Sequence, residues 1–190
     1  RYRHARHRLA VPADRARPVT DARWISTEQY DAVSGTYDEG YTPIGREGRG
    51  GLAVDTSVAH TRRILFVKPD YWVIVDQVRG SGRHRAEQLF HLTPDAKTVV
   101  SDAAVLARYD NGASLQVFPL GALRPHVSII EGSTQPIQGW IATGPNRKVP
   151  APVIAVSYEV ALPATLYTAL IPSHSGQGVF QCRLLPPEAS

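Results

Sequence analysis

The sequence predicts an all-β protein, a largely antiparallel β-sandwich with little or no helix. Many short runs of β-branched and aromatic residues are separated by turn residues, a pattern typical of a sandwich or a barrel. The chain contains 15 glycines and 15 prolines. No segment combines a sustained helical apolar period with helix caps. These three observations give the fold class.

Length and charge indicate one folded domain preceded by a basic tail. The 190 residues are 43% hydrophobic, enough for a single core. Residues 1–23 hold seven arginines against two aspartates, a net of +5, and since the whole chain carries +4 the remainder carries −1. We predict a basic N-terminal tail or truncated strand over 1–23 and a β-sandwich domain over 24–186. A nucleic-acid partner is not expected, because the basic residues are not spread over the domain.

The first part of the domain is predicted to be extended over 24–33, with a break at Ser34-Gly35 and a glycine-rich exposed loop over 45–51. The block 60–92 then predicts three consecutive strands. They cover residues 64–67, 71–78 and 84–92, with turns at Lys68-Pro69-Asp70 and Gly80-Ser81-Gly82. Because the first two strands are apolar at both alternating positions, we expect both of their faces to be covered.

Beyond residue 92 the sequence predicts a series of further short strands. Asn111-Gly112 lies between two of them and is a strong hairpin signal. The predicted strands cover residues 97–100, 104–109, 114–119, 126–130, 139–142, 153–160, 166–171 and 179–184.

The turn at Lys68-Pro69-Asp70 sets the pairing of the first two strands of the block. If it is a three-residue loop, Arg62 lies opposite Asp76 and Phe66 lies opposite Trp72, and pairs of this kind stabilise a sheet. A two-residue loop would instead place Arg63 opposite Asp76. Either register predicts an arginine–aspartate pair.

A metal site is a second interpretation of the same block. His60, Asp76 and His91 offer two imidazoles and a carboxylate, a ligand set that zinc accepts. In the three-residue register, however, His60 lies near Val78, about two residues along the strand from Asp76, so the ligands do not obviously converge. We therefore predict no metal ligand in this chain.

Two aromatic residues and one cysteine have alternative interpretations. Tyr41, beside the glycine-rich loop, is an acid–base or sugar-stacking residue, or else a loop anchor. Trp140, after Gly139, either fills space in the core or offers a flat ring on which a sugar stacks. Cys182 is the single cysteine, which excludes an intramolecular disulfide. Without a neighbouring histidine motif, we expect it to be buried rather than nucleophilic.

The chain contains no methionine and begins with Arg1, so it has no initiator of its own. We expect it to be a fragment of a longer protein. No apolar run approaches the roughly 18 residues of a membrane span, and no membrane span is expected.

Several segments of the sequence together carry a family pattern. They are HTRR at 60–63, FVKPDYWVIVDQVRG at 66–80, LFHLTPD at 89–95, DAVSG at 31–35 with Gly40-Tyr41, Gln138-Gly139-Trp140 and YTALIP at 167–172. These segments resemble the C-terminal β-sandwich of the heparinase II/III-like polysaccharide lyases, which include alginate and heparin lyases. The resemblance covers about residues 24–172.

The resemblance implies that the intact parent cleaves acidic, uronate-containing glycans by β-elimination. In such enzymes an N-terminal helical toroid precedes the sandwich. A base removes the proton at C5 of the uronate while an acid assists departure of the O4 group. A bacterial parent in the periplasm or secreted from the cell is implied as well.

The motifs that carry this family's chemistry do not occur in the sequence. The family's His-Gly-His motif, Asp-Pro-Gly turn and Ala-His-Asn segment, which supply zinc ligands and a catalytic histidine, are expected ahead of residue 24. The toroid, with its asparagine or histidine and tyrosine, is missing too. We therefore predict no catalytic residue here and an inactive fragment, with a structural zinc left open only for the intact parent.

We predict that this chain buttresses the cleft between toroid and sandwich. Its partners are then an acidic polysaccharide and the missing helical toroid domain. The residues expected to contribute to substrate binding at the rim are Tyr41, His60, Arg62 and Trp140, and arginine suits a uronate carboxylate because its guanidinium binds two oxygens at once. The alternative is a non-catalytic carbohydrate-binding or interaction sandwich, which needs exposed aromatic residues in a row on one face.

Overall fold

A computed structural model describes residues 7–9, 21–43, 56–102 and 104–174, together with Phe180, Cys182 and Leu185; the side chains of 7–9 and 41–43 are outside this description. The described residues form strands and turns without a helix, and all their strand pairings are antiparallel, which confirms the predicted fold class.

Seventeen strands are formed by the described residues, and we number them in chain order. The first nine are β1 (His7–Leu9), β2 (Arg23–Ser26), β3 (Tyr30–Tyr37), β4 (Tyr41–Pro43), β5 (Ala59–Val67), β6 (Tyr71–Arg79), β7 (Arg83–His91), β8 (Lys97–Ser101) and β9 (Ala104–Arg108). The others are β10 (Ser114–Leu120), β11 (His126–Ile130), β12 (Ser133–Thr134), β13 (Ile137–Gln138), β14 (Trp140–Gly144), β15 (Arg147–Pro150), β16 (Val153–Ala161) and β17 (Ala164–Ser173).

Two sheets form the layers of the sandwich. The large sheet has eight strands in the order β2-β3-β5-β6-β17-β10-β9-β8, and the small sheet has three in the order β11-β16-β7. Three two-stranded sheets, β1-β4, β12-β13 and β14-β15, complete the described strands. We call the face of the large sheet that is turned to the small sheet its inner face, and the opposite face its outer face.

The β5–β6 hairpin has the register that the three-residue loop predicts. Val67 pairs with Tyr71, and Arg62 lies opposite Asp76. The backbone N–H of Asp70 donates to the carbonyl of Val67 at 2.8 Å. On the inner face Phe66 stacks on Trp72 with ring centroids 4.3 Å apart and an interplanar angle of 8°. The predicted aromatic pair is therefore confirmed.

The third strand of the 60–92 block, β7, lies in the other layer. It pairs with β16 and not with β6. Gly80 and Gly82, with φ of +144° and +89°, lie in the connection that carries the chain from one sheet to the other, and such angles favour glycine. The three predicted strands exist, but they belong to two facing sheets.

The hydrophobic core lies between the two layers. From the small sheet β16 contributes Ile154 and Val156, which are fully buried. From the large sheet Val105, Val117 and Leu166 pack into the same cluster. Burial of these aliphatic side chains on both sides is what holds the two sheets together.

The hairpin at Asn111-Gly112 is confirmed between β9 and β10. Gly112 has a φ of +83°, and its N–H donates to the carbonyl of Tyr109 at 3.1 Å. The side chain of Asn111 accepts from the N–H of Ala113 at 3.0 Å.

The segment predicted to be extended over 24–33 is two strands. A turn at Thr27 separates β2 from β3, where the Thr27 hydroxyl accepts from the N–H of Tyr30 at 3.0 Å. The break expected at Ser34-Gly35 is absent, because both residues pair with β5 inside β3. A threonine hydroxyl that bonds nearby backbone groups is a weaker turn signal than glycine, which is why the sequence misplaced this turn.

Two burial expectations are wrong. Leu65 is 37% exposed on the outer face, so β5 is not covered on both sides. Cys182 is exposed rather than buried, because it follows the last strand and does not enter the core. In the predicted strand 179–184, Phe180 and Cys182 are not in a strand; the rest of that segment and the predicted loop over 45–51 lie outside the described residues.

Candidate functional site around Asp76

Three polar side chains meet on the inner face of β5 and β6. His60 and Arg62 are alternate residues of β5, so they point to the same side. Asp76 on β6 lies directly opposite Arg62. The Oδ1 atom of Asp76 accepts from His60 Nε2 and from Arg62 Nε, both at 2.7 Å. Its Oδ2 atom accepts from Arg62 Nη2 at 2.7 Å, which completes a two-pronged ion pair.

The small sheet reaches the same carboxylate through Gln88 on β7. Gln88 Nε2 donates to Asp76 Oδ2 at 2.7 Å. Gln88 Oε1 in turn accepts from the hydroxyl of Thr168 at 2.9 Å and lies 3.5 Å from that of Tyr158. We call His60, Arg62, Asp76, Gln88, Tyr158 and Thr168 the Asp76 network. It joins the two sheets by polar contacts within a mainly aliphatic core.

Burial and charge pairing act in opposite directions on Asp76. The residue is 2% exposed, and burial alone would raise the pKa of its carboxyl group. Hydrogen bonds from His60, Arg62 and Gln88, with the charge of Arg62, outweigh burial and hold the pKa of Asp76 well below its ordinary value. The same bond to Asp76 raises the pKa of Arg62. Burial, with the nearby charge of Asp76, raises the pKa of Tyr158 to about 12.

The bonds to Asp76 decide which atoms of His60 and Arg62 remain available. An ionised carboxylate only accepts, so Nε2 of His60 carries the proton that it shares with Asp76. The other ring nitrogen of His60, Nδ1, does not contact Asp76. Arg62 uses Nε and Nη2 for Asp76 and keeps Nη1. The side chains of His60 and Arg62 are 29% and 43% exposed, so both reach the surface at this point.

His91 does not join this cluster. It ends β7 three residues after Gln88, and because side chains alternate along a strand it lies on the opposite face. The burial of the two residues agrees with this, since Gln88 is buried and His91 is exposed. Within the described residues no group of three histidine, cysteine or acidic side chains could hold a metal ion. His60 and Asp76 touch each other, but the three zinc ligands considered for this block do not converge.

Trp140 lies in another part of the molecule. It begins β14, and its indole N–H donates to the carbonyl of Ser133 at 2.8 Å. The Nζ atom of Lys148 on β15 lies 4.1 Å from the centre of its ring, which is a cation–π contact. One ring face is therefore occupied and the residue is half-buried. The two partners of Trp140, Ser133 and Lys148, are not members of the Asp76 network.

Tyr41 is placed only by its backbone. It pairs with Leu9 in the β1-β4 sheet, and its side chain lies outside the described residues. The structure thus brings His60 and Arg62 together, keeps Trp140 apart from them, and leaves the roles of all four residues as predictions.

The sequence did not single out Gln88, Tyr158 or Thr168. Each is a polar residue that points inward from its strand. Gln88 occupies an inward position of β7 between Ala86 and Phe90. A glutamine at an apolar position was the available signal, but only the packing of β7 over β6 shows which group it meets.

The outer face of the large sheet carries a shallow apolar groove of about 310 Å³. Two arginines, Arg23 and Arg63, stand at its edge. The other residues that line it are Ile25, Ala32, Val33, Ser34, Ile64, Leu65, Val73 and Val75. This groove lies on the opposite side of β5 from His60 and Arg62.

Comparison with known proteins identifies the family. The family model described as heparinase II/III-like, C-terminal, matches residues 14–169. The chain belongs to the heparinase II/III-like family. No curated protein matches it at a significant level.

Solved heparinase structures share the fold. A heparan sulfate lyase, HepC, from Pedobacter heparinus is similar with a TM-score of 0.64 at 17% identity, over 83% of this chain and 22% of that one. The heparinase III-BT4657 gene product gives 0.60 at 15% identity, over 80% of this chain and 21% of that one. A further heparinase III gives 0.57 at 15% identity, over 82% and 22%. The chain thus spans about a fifth of the length of these heparinases.

No helix in the described part of this heparinase-like domain has the length and apolar character to cross a bilayer.

Proposed function

We propose that this chain is the C-terminal β-sandwich part of a bacterial lyase that cleaves acidic, uronate-containing glycans by β-elimination. The observation that carries the proposal is the match of residues 14–169 to the C-terminal domain of the heparinase II/III-like family. The base and acid of the elimination, and the zinc motifs, belong in this proposal to other parts of the enzyme, including a helical toroid domain. The sandwich, over 24–186, supports the cleft and contributes to its rim.

The Asp76 network supports a place for His60 and Arg62 at that rim. Both side chains are partly exposed and are held by a carboxylate behind them. Arg62 can donate from Nη1 to a carboxylate or sulfate oxygen of the glycan. His60 can accept from a sugar hydroxyl at Nδ1. A negatively charged glycan binds the Arg62 guanidinium more strongly than a neutral glycan does, because its carboxylate or sulfate groups pair with the positive charge. Tyr41 and Trp140 remain proposed rim residues on sequence grounds.

A non-catalytic carbohydrate-binding sandwich needs a row of exposed aromatic rings. Trp72 stacks on Phe66 and is half-buried, and one face of Trp140 is covered by Lys148. Trp72 and Trp140 therefore do not form such a row, whereas Trp24, Tyr30 and Tyr71 are exposed elsewhere in the large sheet. The preference for the lyase-derived role rests on the family match and not on these rings.

The proposal is tested by binding and activity measurements on the 190-residue chain. We expect calorimetry to detect binding of heparan sulfate or alginate oligosaccharides and none of a neutral gluco-oligosaccharide. Arg62→Lys keeps one charge beside Asp76 but loses the extra donor, so binding should weaken about fivefold. Arg63→Lys, on the outer face, is the matched control and should bind like the parent chain. The chain alone should release no unsaturated uronate product.

Equal binding of acidic and neutral oligosaccharides would contradict the proposed glycan class. Unsaturated product formed by the chain alone would show that the elimination machinery lies within these residues, against the proposal.

A further inference from the structure

We infer that Asp76 and Gln88 are positioning residues that fix the orientation of His60 and Arg62 at the proposed glycan-binding rim. The inference rests on the proposed function for what the rim binds. The positioning itself rests on contacts between described residues. It adds two residues to the site that would act through His60 and Arg62 without touching the glycan.

The first step of the argument is the complete bonding of the Asp76 carboxylate. Each of its oxygens accepts two hydrogen bonds, all at 2.7 Å. Three of these bonds come from His60 and Arg62 on the neighbouring strand β5, and the fourth comes from Gln88 of the facing sheet. A carboxylate torsion is broad when it is free, and four donors from three residues leave it one orientation.

The second step is that Gln88 is itself fixed. It is 3% exposed, and its Oε1 atom accepts from Thr168, which is fully buried. Because the ionised Asp76 carboxylate only accepts, the Nε2 side of the Gln88 amide faces it, and the bond from Thr168 holds the opposite Oε1 side in place. Thr168 on β17 thus holds Gln88 on β7, and Gln88 in turn holds the carboxylate of Asp76 on β6.

The third step is what this orientation leaves exposed. His60 must donate through Nε2, so the neutral ring keeps an unprotonated Nδ1. Arg62 must use its Nε–Nη2 edge, so Nη1 stays free. An acceptor and a donor then stand two residues apart on one strand, about 7 Å from each other along the backbone. Both groups lie on the same face of β5, so one segment of a glycan chain can contact both.

The inference is tested by nitrogen NMR of the histidine rings in the 190-residue chain, with His60 assigned through His60→Gln. At a pH where the ring is neutral, the parent chain should show His60 with a protonated Nε2 and an unprotonated Nδ1. Gln88→Met keeps the side-chain length and removes the bonds to Asp76 and Thr168. The His60 signals should then move toward the average of the two tautomers, and heparan sulfate oligosaccharide binding should weaken about fivefold.

Gln116→Met is the matched control. Gln116 is another buried glutamine, 4% exposed, and it accepts from the backbone N–H of Phe180 at 2.9 Å. Its substitution should lower stability while the His60 signals and glycan binding stay unchanged. Thr168→Val removes the bond that holds the Oε1 side of Gln88, with little change in shape. It should shift the His60 signals in the same direction as Gln88→Met. If Gln88→Met does not fold, Thr168→Val tests the positioning role in its place.

The outcomes separate this inference from the proposed function. Unchanged His60 signals in both Gln88→Met and Thr168→Val would overturn the positioning role even if the parent chain binds acidic glycans. Shifted His60 signals without any glycan binding by the parent chain would support the positioning role and count against the proposed function.

Discussion

At the scale of single residues, a carboxylate that is 2% exposed persists in a core only when its charge and its oxygens are compensated. Asp76 meets this condition through Arg62, His60 and Gln88. The compensation is strong enough that burial does not raise its pKa. A group whose folded pKa is depressed stabilises the protein at pH values above its ordinary pKa, and this contribution is lost as the pH falls.

Asp76→Asn should therefore lower the free energy of unfolding at neutral pH by about 3 kcal/mol, because an asparagine NH₂ would face the donors of Gln88 or His60. As the pH falls below the ordinary value of 3.8, the unfolded parent chain takes up a proton that the folded one resists. The difference in unfolding free energy between the parent chain and Asp76→Asn should become smaller at these pH values. Urea unfolding at several pH values measures it.

Asp110→Asn is the control for that measurement. Asp110 pairs with Lys97 on the surface, and both side chains are more than two-thirds exposed. Its substitution should leave the unfolding free energy at neutral pH unchanged within error. A difference between Asp76→Asn and the parent chain that stays constant down to strongly acidic pH would contradict the assignment of a depressed pKa to Asp76.

At the scale of elements, the connection from β11 to β16 depends on one glycine. Gly139 has a φ of +76°. Its carbonyl accepts from the N–H groups of Gly132 at 2.8 Å and of Ala151 at 3.0 Å. A Cβ atom placed on it would lie 2.5 Å from the carbonyl oxygen of Ile130 and 2.6 Å from Cα of Glu131. Both obstacles are backbone, so they cannot move aside cheaply.

Gly139→Ala should destabilise the chain by at least about 2 kcal/mol, because it combines backbone strain with a clash. The matched control is Gly144→Ala in the neighbouring β14-β15 hairpin, where nothing lies within 4 Å of an added Cβ. That change should stay within about 0.5 kcal/mol of the parent chain. Thermal or urea unfolding compares them, and equal effects of the two substitutions would refute the close approach at Gly139.

At the scale of the whole molecule, β16 is the central strand of the small sheet, between β11 and β7. Its residues from Val153 to Tyr158 are all buried, on both faces of the strand. The inward side chains Ile154 and Val156 belong to the core cluster that includes Val105 and Val117 of the large sheet. The attachment of one layer to the other therefore depends mainly on aliphatic packing around this strand.

Ile154→Ala should lower the free energy of unfolding by about 2–5 kcal/mol, because Ile154 is fully buried and a cavity would remain. Ile137→Ala is the same chemical change at a residue that is 70% exposed, and it should cost less than about 0.5 kcal/mol. Chemical unfolding followed by fluorescence and by circular dichroism measures both. Equal losses for the two variants would argue against a core centred on β16.

The sequence by itself determined the features that depend on local chemistry. Apolar runs and turn residues gave the all-β class. The turn at Lys68-Pro69-Asp70 limited the pairing to two registers, and the structure has the one with Arg62 opposite Asp76 and Phe66 opposite Trp72. These follow from strand alternation and turn geometry, which act over a few residues. The same segments also gave the family resemblance that the comparison confirmed.

Only the tertiary structure decided the features that depend on which surfaces meet. It placed β7 in the small sheet, and this brought Gln88 onto Asp76 and turned His91 away. It left Leu65 and Cys182 exposed, although their residue types favour burial. A strand pattern states that a side chain points inward, but the group it meets is set by the packing of distant segments, and the Asp76 network joins residues as far apart as His60 and Thr168 for that reason.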